Sequence, residues 1–287
     1  MSEAKEKNAI VPGTLYLVAT PIGNLADISE RALKVLSEVD FIAAEDTRNT
    51  GLMLSRFGIS KPMVSYFEHN KAERGVQIAE RLRNMESCAL VTDAGTPAIS
   101  DPGEDIARMC SESGIPVTAV PGCCAAIDAL VLSGMPTRRF VFEGFLPPKA
   151  GERKSVLEDI SREKRTVILY EAPHRLIKTL EELAGVMAPG RKITICRELT
   201  KLNEEIIRTT VGEAPGIYGD KSPRGEYVLV IDGAGKEETG AADPKDPVAL
   251  VAELMESGMA RMDAIKKAAK DTGMKKNDLY RLIARDE

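Results

Sequence analysis

Apolar positions along this chain fall into short continuous runs separated by amphipathic stretches, the pattern of strands buried on both faces alternating with surface helices. The first run, TLYLVAT at residues 14–20, reads as a strand, and Pro21-Ile22-Gly23-Asn24 turns out of it into a helix whose Asp27 and Glu30 have capping-box spacing. Further strands are expected at residues 40–44, 63–67, 88–92 and 116–120, with helices near 71–84 and 104–113. This alternation predicts a parallel α/β unit over residues 1–120. A helix over residues 123–132 opens on Pro121-Gly122, and strands are expected at Phe140–Phe145, 166–170, Lys192–Arg197, 205–211 and 226–231. Most of the later connections are too short for a crossover helix, so the second unit, residues 121–235, is expected to hold a mixed or antiparallel sheet. Residues 236–247, rich in Gly, Pro, Ala and charge, read as a linker to a helical segment over 248–287. There Met262, Ile265 and Ala269 have helical spacing, Asp271-Thr272-Gly273 forms a turn, and Leu279 and Leu282 share a face, a helix-turn-helix pattern.

The chemistry concentrates where strands break into loops. In CALVTDAGTPAISDPG, residues 88–103, the apolar run ends at Val91, and Asp93, Gly95, Pro97, Ser100, Asp101, Pro102 and Gly103 crowd the positions that follow. That density excludes a helix or a ladder and leaves an ordered loop at the carboxyl end of a strand, where open α/β sheets bind ligands. Two other junctions, TPIGN at 20–24 and VPGCCAA at 120–126, are expected on the same edge of the same sheet. The chain contains no dinucleotide G-x-G-x-x-G after its first strand, no P-loop, no H-E-x-x-H and no G-x-S-x-G elbow, which argues against the commonest nucleotide, metallopeptidase and hydrolase readings.

Composition narrows the partners. With no Trp and 4% aromatic residues, base stacking is a minor recognition device. Five cysteines without a C-x-x-C pair fit reduced thiols, and two histidines do not by themselves make a metal cluster. The polar N-terminus and the absence of any run of about 18 apolar residues predict a cytoplasmic protein without a membrane partner. Net charge is −5, yet residues 261–285 carry eight Lys or Arg against three Asp. A basic tail on an acidic body suits a polyanionic partner and also suits a solvated helix face. Residues 149–165 hold a weaker basic excess.

The motifs ATPIGNLADIS, AEDTR, SYFEHN, TDAGTPAISDPG, FEGFLPPK, YEAPHR and RELTK resemble the tetrapyrrole methylase superfamily, two-domain (class III) methyltransferases that hold S-adenosylmethionine between their domains. Within it they are similar to the branch that methylates the 2′-oxygen of a cytidine in the decoding centre of small-subunit (16S) ribosomal RNA. The resemblance implies a homodimer, and the cysteine and histidine content leads to the expectation of no metal. It places Ala94, Gly95, Thr96 and Ile99 against the methionine part of the cofactor, with Cys124 and Ala125 meeting it from the next helix and Leu199 and Glu171 closing the adenosine side. A glycine permits close backbone approach, a helix start suits a carboxylate, and Asp93 suits a cationic sulfonium. Glu45, Asp46 and His69 are the candidate bases for a ribose hydroxyl, with Lys201 available for an alkoxide or a phosphate; Asp46 and Thr47 also suit a helix N-cap. Where porphyrinoid-modifying members carry a glycine-rich first turn and a Gly-Asp-Pro, this chain has Thr20-Pro21-Ile22-Gly23-Asn24 and Gly95-Thr96-Pro97, which disfavours a tetrapyrrole acceptor. A tetrapyrrole methyltransferase and a non-enzymatic RNA-binding protein on the same fold remain the alternatives.

Overall fold

The computed structural model describes residues 8–219, 222–235, 247–272 and 274–283. Its first half is built on β1 (Leu15–Val18), β2 (Phe41–Ala44), β3 (Met63–Ser65), β4 (Cys88–Val91) and β5 (Val117–Val120), joined by helices α1 (Glu30–Glu38), α2 (Thr47–Arg56), α3 (Lys71–Arg83) and α4 (Glu104–Glu112). The five strands form one sheet in the order β3-β2-β4-β1-β5, every pair parallel. The continuous apolar runs are explained by burial on both faces. Phe41, Ala43, Cys88 and Leu90 point to a core closed by Ile78 and Leu82 of α3 and Ile106 of α4, while Ile42, Ala44, Ala89 and Val91 meet Val35 and Leu36 of α1 and Leu54 of α2. The chain therefore leaves β1 toward one face and β4 toward the other, although the two strands are neighbours, and a crevice opens between their carboxyl ends.

α1 starts later than its sequence suggests. Asp27 lies in a 3-10 turn, Leu25–Asp27, and the helix is capped by Ser29, whose side chain accepts from the Ala32 amide at 3.1 Å. A hydroxyl three residues before an orphan amide outcompetes the more distant carboxylate.

The second half comprises α5 (Ala125–Ser133), β6 (Phe140–Phe145), α6 (Ala150–Arg162), β7 (Thr166–Glu171), α7 (Leu176–Val186), β8 (Lys192–Arg197), β9 (Glu205–Thr210) and β10 (Tyr227–Ile231). Strand order is β6-β7-β10-β8-β9, with β6 and β7 parallel and the other pairs antiparallel, the mixed sheet expected from the short connections. α6 and α7 cover one face through Leu157, Ile160, Leu180 and Leu183. α5 covers the other, where Ala126, Ala129 and Leu130 pack on Ile168, Cys196, Val228 and Val230.

The C-terminal segment forms α8 (Pro247–Glu256), α9 (Arg261–Thr272) and α10 (Lys276–Ile283), so a third helix precedes the expected pair. Their core is Val251, Ala264, Ile265, Ala268, Ala269 and Leu279, whereas Met262 and Leu282 are exposed. Of the expected linker, residues 236–246 lie outside the described residues, and Pro247 already belongs to α8. Among the described residues no helix is long and apolar enough to cross a membrane.

Candidate active site

The loops that follow β1, β4 and β5 are tied to one another at the carboxyl edge of the first sheet. Thr20 and Gly95 exchange backbone hydrogen bonds at 2.9 and 3.1 Å, and Thr96 Oγ1 donates to the Cys123 carbonyl at 2.9 Å. Gly95 has φ +83°, and the same loop holds Ala98 at φ +71° and Ser100 at φ +62°. Left-handed non-glycine residues cost on the order of 1–3 kcal/mol each and persist only where surroundings enforce them. Contact with the second half supplies part of that enforcement: β6 has a register shift between Phe142 and Gly144, and a Cβ at Gly144 would stand 2.8 Å from Ser100 Oγ.

Between the halves lies a cavity of about 510 Å³. The first half contributes Ile22, Glu45 and residues 93–96 and 99–101; the second contributes Cys124 and Ala125 at the start of α5, Phe145, residues 170–174 and residues 226–228. Its electrostatics are set by carboxylates. Glu45 accepts from the Asp93 amide at 3.4 Å, and Asn49 Nδ2 donates to Asp93 Oδ2 at 3.1 Å. Burial raises the Glu45 pKa, and the charges of Asp93 and Asp46 add to the effect. Asp101 is pushed up to about 7, chiefly by burial and further by the neighbouring negative charges of Glu45, Asp93 and Glu226. A carboxyl group titrating there is poised to take a proton at neutral pH.

The second half holds its wall with fixed ion pairs. Glu171 is buried beside Arg175 at 3.5 Å and Arg153 at 3.9 Å, accepts from the Thr179 hydroxyl, and accepts from the Ala172 amide at 2.9 Å. The Tyr170 hydroxyl accepts from the Ala126 amide at 3.1 Å, pinning β7 to the first turn of α5. In the turn after β8, Glu198 and Thr200 again have positive φ, at +52° and +64°. Lys201 Nζ donates to Glu198 at 2.9 Å and to Glu226 at 2.8 Å. Burial pulls the Lys201 pKa down, but the two carboxylates outweigh it and the net shift is upward. The lysine stem lies on Gly23, where a Cβ would fall 2.3 Å from Lys201 Cγ, so this side chain spans from the second half to the first loop.

Comparison with known proteins now fixes the kinship. Residues 14–215 match the Tetrapyrrole (Corrin/Porphyrin) Methylases. The chain belongs to the tetrapyrrole methylase family. A Synechocystis protein named Ribosomal RNA small subunit methyltransferase I is 44% identical over 270 residues, covering 94% of this chain and 97% of its own. A Haemophilus influenzae protein of the same name is 45% identical over 271 residues, covering 93% and 95%. Among solved structures, uroporphyrin-III C-methyltransferase from Thermus thermophilus, complexed with S-adenyl homocysteine, superposes with TM-score 0.53 at 16% identity, over 76% of this chain and 96% of that one, a likeness of fold.

In this tetrapyrrole methylase the cavity brings together Glu45, Asp93, Ala94, Gly95, Thr96, Ile99, Cys124, Ala125 and Glu171 of the residues singled out in the sequence. Leu199 is buried beneath it, in the apolar cluster on which Ile22, Cys124 and Ala125 also pack. Lys201 reaches the cavity wall through Glu226. Asp46 caps α2, accepting from the amides of Arg48 and Asn49 at 2.8 and 3.4 Å. His69 is exposed on the turn after the edge strand β3, edge-on to Phe67, and does not line the cavity. Sequence reasoning missed Asp101, Glu226, Tyr170 and His174 as lining residues. Asp101 stands in the same turn-rich loop as Gly95, and Tyr170 and His174 stand in YEAPHR, whereas Glu226 carried no signal.

Proposed function

We propose that this chain transfers the methyl group of S-adenosylmethionine to the 2′-oxygen of a cytidine ribose in the decoding centre of 16S ribosomal RNA, as a cytoplasmic homodimer. The observation that carries the reading is the carboxylate-lined cavity between two halves whose sequence matches the ribosomal RNA methyltransferases along more than nine-tenths of the chain. Its residues fit the cofactor. The volume of about 510 Å³ falls within the range of small-molecule sites. Glu45, Asp93, Asp101 and Glu226 complement a cationic group, while Ile22, Ile99, Phe145 and Val228 offer apolar surface. Gly95 presents its backbone without a Cβ, and at the start of α5, where Tyr170 takes the Ala126 amide and the Cys124 carbonyl takes that of Ile127, the Ala125 amide is left for a carboxylate. For the dimer, Val131 at 67% and Ile127 at 43% exposure, one turn apart on α5, supply apolar surface that a second copy would cover.

When bound, S-adenosylmethionine supplies a methyl carbon made electrophilic by a cationic sulfur. Asp101, deprotonated above about pH 7, removes the proton of the ribose hydroxyl, and Glu45 keeps it basic by proximity of like charge. Lys201 holds Glu226 in the wall and keeps the Gly23 loop against the second half. Glu171, neutralised by its arginines, positions Ala172 and the residues beyond it. Orientation of the acceptor oxygen supplies most of the acceleration, an effect worth up to about 7–11 kcal/mol.

The reading is tested by incubating the protein with methyl-labelled S-adenosylmethionine and either naked 16S RNA or small subunits, with uroporphyrinogen as a competing acceptor. A single alkali-stable ribose methylation on a cytidine is expected. Label on a base, or on the tetrapyrrole instead of RNA, overturns it.

A further inference from the structure

We propose that a basic cleft at the far end of the second sheet binds the phosphodiester backbone of the RNA substrate, a site separate from the methyl-transfer cavity; this rests on the RNA-methyltransferase reading above. The cavity meets β7 at Glu171, whereas the cleft, of about 730 Å³, meets it at Thr166. Five residue rises of roughly 3.3 Å separate those ends, about 17 Å. Five cations, Arg138, Arg139, Arg162, Lys164 and Arg165, line the cleft against three carboxylates.

One of those carboxylates is already occupied, because Arg165 donates twice to Glu163 at 2.8 and 2.6 Å. Arg138, Arg139, Arg162 and Lys164 are exposed and, among the described residues, form no side-chain hydrogen bond or ion pair. Exposed cations elsewhere divide: Arg108, Lys149 and Lys154 each pair with an acid about one helical turn away, while Arg56, Lys192 and Arg224 also form no side-chain hydrogen bond or ion pair, so what marks the cleft is that four such cations line one place.

The cleft is also built on fixed supports. Arg191 is buried behind it, donating to the carbonyls of Asp232 at 2.6 Å, Ser161 at 2.8 Å, Glu163 at 3.1 Å and Ile160 at 3.3 Å. Thr166 Oγ1 donates to the Pro136 carbonyl at 2.7 Å, tying the segment before β6 to the start of β7. The backbones that carry the free cations are therefore set before any ligand arrives, which lowers the ordering cost of binding. Planar guanidinium groups match phosphate oxygens in pairs. A polyanion also needs such a place on this molecule, because the cavity itself is walled by Glu45, Asp93, Asp101 and Glu226 and repels phosphate. Later in the chain, Lys266, Lys267 and Lys270 of α9, Lys275 just before α10 and Lys276 at its start are exposed as well.

The test replaces Arg138, Arg139, Arg162 and Lys164 together by alanine in the full chain and measures binding of transcribed 16S RNA across a salt series. A second variant, Arg138→Glu with Arg139→Glu, reverses charge at one wall. Thermal midpoint and calorimetric affinity for S-adenosylmethionine report on folding and on the cavity, and both are expected to stay at the parent's values. The fourfold variant is expected to bind RNA at least tenfold more weakly at low salt. Its slope of log affinity against log salt should flatten by about 0.7–0.9 for each phosphate that the protein no longer neutralises, and the charge-reversed variant should bind RNA more weakly than the parent. A parent that binds and methylates RNA beside variants with unchanged affinity and slope overturns the cleft alone. A parent that neither binds nor methylates RNA overturns the proposed function and the cleft with it.

Discussion

The two ends of the second sheet are opposites. At one end, against the first sheet, backbone is held at positive φ in Ala98, Ser100, Glu198 and Thr200, and carboxylates crowd until Asp101 titrates near 7. At the other, loops are stapled by Arg191 and exposed cations stand without partners. Strain and charge crowding are expensive, and they collect where the proposed cationic ligand and proton transfer would use them. Relaxed, solvated cations suit a long polyanion gripped by its phosphates. On the proposed reading one sheet separates chemistry from grip.

The largest effect is expected at the acidic end. Asp101→Asn keeps the shape of the loop while removing the base, and single-turnover methylation at saturating RNA should fall by about 10²–10⁴-fold. If the rate holds within a few-fold, Glu45 becomes the base.

Next comes the backbone. Gly95 stands at φ +83°, not in an ordinary conformation, so Gly95→Val would test strain and space together. Gly95→Ala should cost about 1–2 kcal/mol of stability from the left-handed backbone. It should also weaken S-adenosylmethionine binding. Gly114, at φ +68° with open space around it in the turn between α4 and β5, provides the comparison. Gly114→Ala should lower the thermal midpoint similarly and leave cofactor affinity unchanged. Equal reductions in affinity would show that the loop acts through stability alone.

Smaller shifts should run in opposite directions. Asp101 must be ionised to accept a proton, so the rate should rise with pH and level off above about 7. Glu45→Gln removes a negative neighbour and should move that limb to lower pH. Lys201→Met keeps the stem on Gly23 but frees the charge of Glu226, and should move it to higher pH. Shifts of the same sign would separate Asp101 from the limb.

Removing residues 247–287 should change least. Their core is formed by Val251, Ala264, Ile265, Ala268, Ala269 and Leu279, so the two sheets should keep their thermal midpoint, and RNA affinity should lose only part of its salt slope. A collapse of the saturated rate would assign the tail to the cavity.

The strands were legible to within a residue or two because parallel strands buried on both faces are uninterrupted apolar runs, as in Cys88–Val91. The loop after β4 was legible from its turn residues. Asp101 was not, because its altered acidity arises from Glu45, Asp93 and Glu226, which only the fold brings together. Nor was the positive φ of Ala98 and Ser100, which follows from the closure of the loop rather than from either residue. His69 sits in a motif rich in polar residues, but β2 separates its strand from β4 and it faces solvent. Ser29 displaced Asp27 as a cap because a single residue decides a helix start, a scale on which spacing alone is ambiguous.

The most direct test of an acidic cavity built for a cationic ligand is the ratio of affinities for S-adenosylmethionine and S-adenosylhomocysteine, measured by calorimetry between pH 6 and 8. The two ligands differ by the sulfonium charge, and ionisation of Asp101 near 7 adds a negative charge to the wall. The ratio should therefore rise with pH in the parent and stay level in Asp101→Asn. A level ratio in the parent, or an equal rise in both proteins, would contradict the account.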